Sequence, residues 1–161
     1  MPTDIERILG YSFKNKAVLK EALTHKSFAG EHRGVKHNER LEFLGDSILG
    51  AIVADYIYNE CPHDEEGVLS KIKSNLVSRR NLYLWGKDLN LGRFIALGRG
   101  ELATGGRTRD SIISNAVEAV IGALYEDGGY EAACRFILPW VKTQKLTQDA
   151  RDFKSILQEF L

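Results

Sequence analysis

Three carboxylates recur at the spacing of one helical face in the first half of the chain. In the stretch NERLEFLGD, residues 38–46, these acids are Glu39, Glu42 and Asp46. At about 100° per residue they fall within about 60° of one face, where like charges repel unless a cation neutralises them. Oxygen ligands of this kind suit Mg²⁺ or Mn²⁺, although a solvated acidic stripe would show the same periodicity.

A fourth acid, Glu118, lies within SIISNAVEAVIGALY, residues 111–125, which is apolar on almost every side of a helix. Burying an unpaired carboxylate is costly, and the usual remedies are a cationic partner, a raised pKa or a metal ion. A surface or salt-bridged glutamate is the alternative interpretation. The choice depends on which side chains meet Glu118 in the fold.

Two glycines would allow the helices that carry these acids to cross closely. Gly45 lies within the acidic stretch, and Gly122 follows Glu118 by one helical turn. If the helices cross there, Glu42, Asp46 and Glu118 could surround one divalent ion. A magnesium-bound water beside a phosphodiester is a ready hydrolytic nucleophile.

The composition describes one ordinary globular domain. A chain of 161 residues with 43% hydrophobic content is large enough to bury a real core. The start, MPTDIERILG, lacks a signal peptide, and no apolar run approaches a membrane span, so we expect a cytoplasmic protein without a membrane partner. Cys61 and Cys134 form neither a disulfide framework nor a zinc-ligand cluster.

Charge is segregated along the chain, although the formal net charge is zero. Residues 39–66 hold eight acids against one base, and residues 71–109 hold nine bases against two acids. This asymmetry fits a metal-attracting patch beside a phosphate-attracting surface, and two solvated faces are the alternative. We expect phosphate contacts from the basic segment, with Arg99, Arg107 and Arg109 as candidates.

The periodicity predicts an all-α fold without strands. Residues 26–37 carry two glycines and no period, so we predict a loop, and residues 92–109 read as an irregular excursion. The expected helices cover residues 4–9, 17–23, 39–60, 66–78, 81–89, 111–126 and 130–141, with a break at 127–129.

The tail differs from the rest of the chain. Residues 142–150 are polar and indicate a linker, and RDFKSILQEFL, residues 151–161, begins an amphipathic helix. We therefore divide the chain into a first domain at 1–145 and, at 146–161, a linker with the start of a second domain that is cut off.

Five blocks, in order, carry a resemblance to the ribonuclease III family. HNERLEFLGDSIL at 37–49 closely resembles the defining motif of its endonuclease domain. Further blocks that match are ALTHKS at 22–27, EEGVLSKIKSNLVS at 65–78, GRGELATGGRTRDSI at 98–112 and NAVEAVIGALYED at 115–127. The tail segment resembles the first helix of the double-stranded RNA-binding domain of bacterial members, truncated here, and Ser155 and Gln158 on it are candidate RNA contacts.

The resemblance implies an all-α homodimer that cleaves double-stranded RNA with Mg²⁺, or with Mn²⁺ as a substitute, and processes structured rRNA and mRNA precursors. The expected products carry 5′-phosphate and 3′-hydroxyl ends. Carried over by position, Glu42, Asp46 and Glu118 fall on the metal-site acids, with Asp46 and Glu118 as catalytic residues. Asn115 stands where the family commonly has aspartate, which weakens the expected metal binding without excluding it.

Three further residues complete the implied site. Glu39 matches another acid of the cluster, and Glu66 matches a glutamate near the catalytic valley, although an acid that opens a helix is also explained by the helix dipole. Phe43 faces the acidic side of its helix, away from the chain's own core. An exposed aromatic residue there marks a contact surface, and the matching phenylalanine of the family inserts into the other subunit.

Two other functions compete with the endonuclease. A non-catalytic RNA-binding or ribosome-associated protein of the same fold would usually have lost the acids, whereas all four remain here. Asn115 and the truncated tail point weakly towards it. A helical protein-interaction module would show no response to metal and no RNA cleavage.

Overall fold

The computed structural model describes residues 1–144 and 146, and the chain is helical over this range, as the sequence predicts. Short 3₁₀ turns lie at Leu91–Phe94 and Gly106–Thr108, on either side of a short helix at Arg99–Ala103. Ser155 and Gln158 of the predicted second domain lie outside the described residues. The helices are α1 Asp4–Leu9, α2 Lys16–Ala22, α3 Lys26–Glu31, α4 Glu39–Glu60, α5 Glu66–Leu76, α6 Arg79–Asp88, α7 Arg99–Ala103 and α8 Asp110–Thr143.

The two longest helices, α4 and α8, pack together at the centre of the core. The helix α8 buries residues on nearly all sides, as the apolar stretch around Glu118 predicts. The shorter helices α2 and α6 cover α8, and α5 packs on α4. Fully buried side chains at this centre are Leu49, Ile52, Val53, Val117, Val120, Ile121 and Leu124.

The buried stripe of α4 adjoins its acidic face instead of lying opposite to it. A helical period predicts an apolar face opposite the acids through Leu41, Leu44, Ile48 and Ile52, and of these Leu41 and Ile52 are buried, whereas Leu44 and Ile48 are only partly buried. The buried residues of α4 are Leu41, Gly45, Leu49, Ile52, Val53 and Ile57. This stripe passes through Gly45 because the missing side chain lets α8 approach there, which places the acids at the edge of the α4–α8 contact.

The predicted loop at 26–37 is partly wrong, because α3 forms within it. The His25 ring caps this helix, since its Nδ1 accepts a hydrogen bond from the backbone N–H of Ser27 at 3.2 Å. The predicted irregular segment likewise contains the short helix α7. The predicted break near residue 129 is confirmed, since Gly129 interrupts α8 with φ 75°.

A buried ionic network fixes the N-terminal segment. The Glu6 carboxylate accepts hydrogen bonds from Thr3 N at 2.7 Å and Phe13 N at 2.8 Å, and it pairs with Lys16. Its side chain has no exposed surface. The bond from Lys16, followed by the backbone bond from Thr3, lowers the pKa of Glu6 to about 2.

We expect Glu6→Gln to reduce the free energy of unfolding by about 2–3 kcal/mol at pH 7, because it leaves charged and backbone donors unsatisfied. The folded pKa lies below the ordinary value of 4.5, so this stabilisation is complete above pH 4.5 and is lost as pH falls towards 2. Urea unfolding at several pH values should show the difference from the parent shrinking in acid. Glu131→Gln, which breaks the exposed pair with Arg135, is the control with a small effect.

Candidate active site

The helices α4 and α8 touch backbone to backbone at Gly45 and Gly122, as the sequence predicts. A Cβ atom on Gly45 would lie 1.7 Å from the carbonyl oxygen of Glu118. A Cβ atom on Gly122 would lie 2.2 Å from the carbonyl oxygen of Leu41. Only glycine fits at either position, and this contact brings the acidic edge of α4 against Glu118.

Glu118 lies in a half-buried position beside Asp46 and Glu42. Burial, followed by the negative charges of Asp46 and Glu42 and a hydrogen bond with Asp46, raises the pKa of Glu118 to about 8. The positive charge of Arg79 acts in the opposite direction. Without a cation, Glu118 therefore keeps its proton at neutral pH, and a bound cation would replace that proton.

Glu42 and Glu39 occupy different electrostatic environments, although both belong to the acidic face of α4. Glu42 is half-buried, and burial, together with the charge of Glu39, raises its pKa. Glu39 is exposed, and its carboxylate lies 3.2 Å from Lys26 Nζ. The hydrogen bond from Lys26 lowers the pKa of Glu39. Glu39 thus has a cationic partner, whereas Glu42 is crowded by other acids.

Asn115 lines the same cleft as Glu39 and Glu42, and this cleft has a volume of about 240 Å³. It is half-buried and stands one turn before Glu118 on α8. The side-chain amide of Asn115 contributes a neutral oxygen to the lining of the cleft and adds no charge. The cleft is lined by His25, Lys26, Asn38, Glu39, Glu42, Glu101, Arg109, Ser111, Ile112 and Asn115.

The side chains fit a hydrated hard cation. In the part of the chain that the structure describes, no three histidine, cysteine, aspartate or glutamate side chains are grouped so that together they could hold a metal ion. Mg²⁺ does not require such a group of three, because it keeps several waters and binds through one or two carboxylates. Asp46 and Glu118 supply such a pair, and burial, followed by the negative charge of Asp46, raises the pKa of Glu118.

Two of the predicted RNA-binding arginines make bonds within the protein. The Arg107 guanidinium donates to the carbonyl oxygens of Gly92 and Ile95, each at 3.0 Å. Arg109 pairs with Glu101 and donates to the Thr104 carbonyl oxygen at 3.1 Å. These bonds hold together the segment between α6 and α8. A count of basic residues could not distinguish such internal roles from phosphate contacts.

Arg99 and Phe43 are placed differently, because both project into solvent. The Arg99 side chain is 94% exposed, and its nearest acid, Glu31, lies 3.9 Å away. Phe43 is 78% exposed on α4, next to Glu42. The structure thus leaves the third arginine and the predicted contact residue accessible to partners.

Glu66 lies apart from the acidic cluster within this chain. It is exposed at the start of α5, and its carboxylate accepts a hydrogen bond from Ser70 Oγ at 2.6 Å. It is not among the charges that shift the pKa of Glu42 or Glu118. Lys26 and Arg79, which do influence those acids, are the site residues that sequence reasoning missed.

Comparison with known proteins identifies close similarity over most of the chain. The family model for ribonuclease-III-like domains matches residues 15–145. The chain is 46% identical to Ribonuclease 3 of Carboxydothermus hydrogenoformans and 45% identical to Ribonuclease 3 of Shewanella denitrificans. Each alignment covers 98% of this chain and 69% of the relative.

Solved structures give the same result. The nuclease domain of ribonuclease III from Campylobacter jejuni, described as flexible in a region involved in dimer formation, matches with a TM-score of 0.81 and 40% identity. That match covers 86% of this chain and 94% of the other. Dicer from Pichia stipitis shares the fold, with 24% identity and a TM-score of 0.60. This match covers 85% of this chain and 61% of the Dicer chain. None of the helices within the described range is long and apolar enough to cross a membrane.

Proposed function

Because the chain belongs to the ribonuclease III family and is an endonuclease of that type, we propose that it hydrolyses double-stranded RNA with Mg²⁺ and leaves 5′-phosphate and 3′-hydroxyl ends. The observation that carries this proposal is the close backbone contact at Gly45 and Gly122, which places Glu118 beside Asp46. A half-buried acid with a raised pKa beside other acids is the expected state of a cation site without its cation.

The chain's own side chains have distinct parts in this proposal. Asp46 and Glu118 would hold the cation, with Glu42 and Asn115 beside them. The bound Mg²⁺ would stabilise negative charge on the scissile phosphate and activate water for its hydrolysis. Exposed bases such as Arg99 would contact backbone phosphates, so that binding falls as salt rises and depends little on sequence. The cytoplasmic location and the processing of rRNA and mRNA precursors stay predictions.

The direct test is incubation of a long RNA duplex with the protein in Mg²⁺, in Mn²⁺ and in EDTA. We expect cleavage with either metal and none in EDTA, and the products should be substrates for a ligase that requires 5′-phosphates. A single-stranded RNA of the same sequence is the control and should stay intact. Equal cleavage in EDTA, or no cleavage at any metal concentration, would reject the proposal.

We also propose that the protein acts as a homodimer whose contact includes Phe43. We expect Phe43→Glu to raise the dimer dissociation constant by about a hundredfold or more, because it removes a large apolar contact and adds a charge. Sedimentation equilibrium of both proteins would measure this. Ile8→Glu is the control. It changes an exposed apolar residue on a different helix, α1, and should leave the dimer intact. A parent protein that is monomeric at micromolar concentration would contradict the proposal.

Asn115 gives a separate prediction about metal demand. We expect Asn115→Asp to lower the Mg²⁺ concentration for half-maximal cleavage by about threefold to tenfold, because an added negative charge strengthens a hard-cation site. Titrating Mg²⁺ against the cleavage rate measures the change, with Asn59→Asp on the exposed end of α4 as control. If only Asn115→Asp cleaves RNA, the parent is an inactive member, and the non-catalytic RNA-binding alternative describes it better.

A further inference from the structure

The acidic cluster already contains a cation of the protein's own, the ammonium group of Lys26. Lys26 begins α3, and Glu39 begins α4. Lys26 Nζ lies 3.2 Å from Glu39 Oε1. Both side chains line the 240 Å³ cleft together with Glu42 and Asn115. The pair therefore shares a cleft with Glu42 and Asn115, the two residues that flank Asp46 and Glu118 in the proposed cation site.

The fold holds Lys26 in this position from two sides. The His25 ring caps the start of α3, and its Nδ1 lies 2.7 Å from Ser27 Oγ, which accepts a hydrogen bond from Gly98 N at 2.9 Å. On the other side, the buried Asn38 donates through its backbone N–H to the Thr24 carbonyl oxygen at 2.9 Å. The start of α3 is thus tied to Gly98, and the start of α4 is tied to Thr24, two residues before Lys26.

We propose that Lys26 is a positioning residue of the cation site, which keeps Glu39 as its partner and so withholds one negative charge from the metal-binding acids. This inference rests on the proposed function. Lys26 acts on the site through Glu39, and its charge also reaches Glu42, where it opposes the effects of Glu39 and Asp46. Among the acids of the cluster, Glu39 is therefore a partner of Lys26 and not a ligand of the cation.

The pairing has a particular meaning in this chain because Asn115 is neutral. A site that lacks one negative charge on α8 and has another neutralised on α4 should bind Mg²⁺ weakly. Removing the Lys26 charge would return one unit of negative charge to the same cleft. Loss of a basic residue should then strengthen metal binding, which structural damage would not do.

The experiment is calorimetric titration of MgCl₂ into the full chain without RNA. We expect Lys26→Gln to bind Mg²⁺ about threefold to tenfold more tightly than the parent, because the nearby charge becomes more negative by one unit. Lys26→Arg keeps the pair and should match the parent. Lys20→Gln, which removes an exposed lysine on α2, is the control and should also match it. Circular dichroism confirms that each variant is folded.

A double variant separates a partner from a ligand. If Glu39 is only the partner of Lys26, then Lys26→Gln with Glu39→Gln removes both charges of the pair and should bind Mg²⁺ within about twofold of the parent. If Glu39 ligates the cation, the double variant should bind about tenfold more weakly or worse, and the inference is overturned. The measurement on the double variant stays informative even if Lys26→Gln alone folds poorly.

The remaining outcomes distinguish this inference from the proposed function. If the parent binds Mg²⁺ and Lys26→Gln binds it equally or more weakly, Lys26 does not withhold charge, although the cation site stands. If Lys26→Gln reduces the affinity for an RNA duplex in EDTA and leaves Mg²⁺ affinity unchanged, Lys26 is a phosphate contact instead. If neither the parent nor any variant binds Mg²⁺ or Mn²⁺, the proposed function itself fails.

Discussion

Glu118→Gln should lower the rate of duplex RNA cleavage by about a thousandfold or more while the protein stays folded. The amide has the shape of the carboxyl group, so the packing of α8 against α4 is retained. It cannot supply the negative charge that a divalent cation needs beside Asp46. The loss should therefore appear in cleavage and in metal binding, and not in secondary structure.

The stability of the same variant provides a second measurement, and its sign follows from the pKa of Glu118. The folded pKa of about 8 lies above the ordinary value of 4.5, so folding disfavours the charged carboxylate. In EDTA this cost to the parent grows as pH rises from 4.5 to about 8. Glutamine has no such cost, so the variant should equal the parent in acid and exceed it in stability above pH 8.

Magnesium should reverse this order, because an ion that binds only the folded parent stabilises it. In thermal unfolding experiments, MgCl₂ should raise the melting temperature of the parent and leave that of Glu118→Gln unchanged. Glu126→Gln, an exposed site on the same helix, is the matched control and should behave as the parent does. If Glu118→Gln cleaves RNA as fast as the parent, the metal-site explanation of this half-buried acid is wrong.

The sequence was sufficient for the central part of the site because the relevant signals are local. A helical period placed Glu42 and Asp46 on one face of α4, and an apolar stretch isolated Glu118 on α8. The glycines at 45 and 122 predicted the close crossing that joins them, and the structure confirms it. The five ordered motifs identified the family, which the comparisons confirm.

The parts that sequence reasoning missed depend on contacts between distant segments. The helix α3 has six residues and no amphipathic period, and it forms through the His25 cap and contacts with the segment before α7. Because the sequence predicts a loop there, nothing in it indicates that Lys26 meets Glu39. Similarly, the charge of Arg107 suggests a phosphate contact. Only the fold shows that its guanidinium donates hydrogen bonds to the carbonyl oxygens of Gly92 and Ile95 instead.

The crossing itself predicts the largest effect on stability. We expect Gly45→Ala to cost at least about 4 kcal/mol of unfolding free energy or to prevent folding, because the added methyl group would overlap the Glu118 carbonyl oxygen. The atom it meets belongs to the backbone of a buried helix, which cannot move aside as a flexible side chain can. Forcing α4 away from α8 would also open the core around Leu49 and Val53.

Gly50 offers a matched control, because it lies on the same helix and can be changed in the same way. A Cβ atom there would meet only the end of the Lys73 side chain, at 3.6 Å, which is an ordinary contact. Since alanine favours a helix over glycine by about 0.5–1 kcal/mol, Gly50→Ala should be neutral or stabilising. Urea unfolding should therefore show a large loss of stability for Gly45→Ala and no loss for Gly50→Ala. If Gly45→Ala unfolds at the same urea concentration as the parent, the backbones of α4 and α8 do not touch, and the geometry proposed for the cation site loses its support.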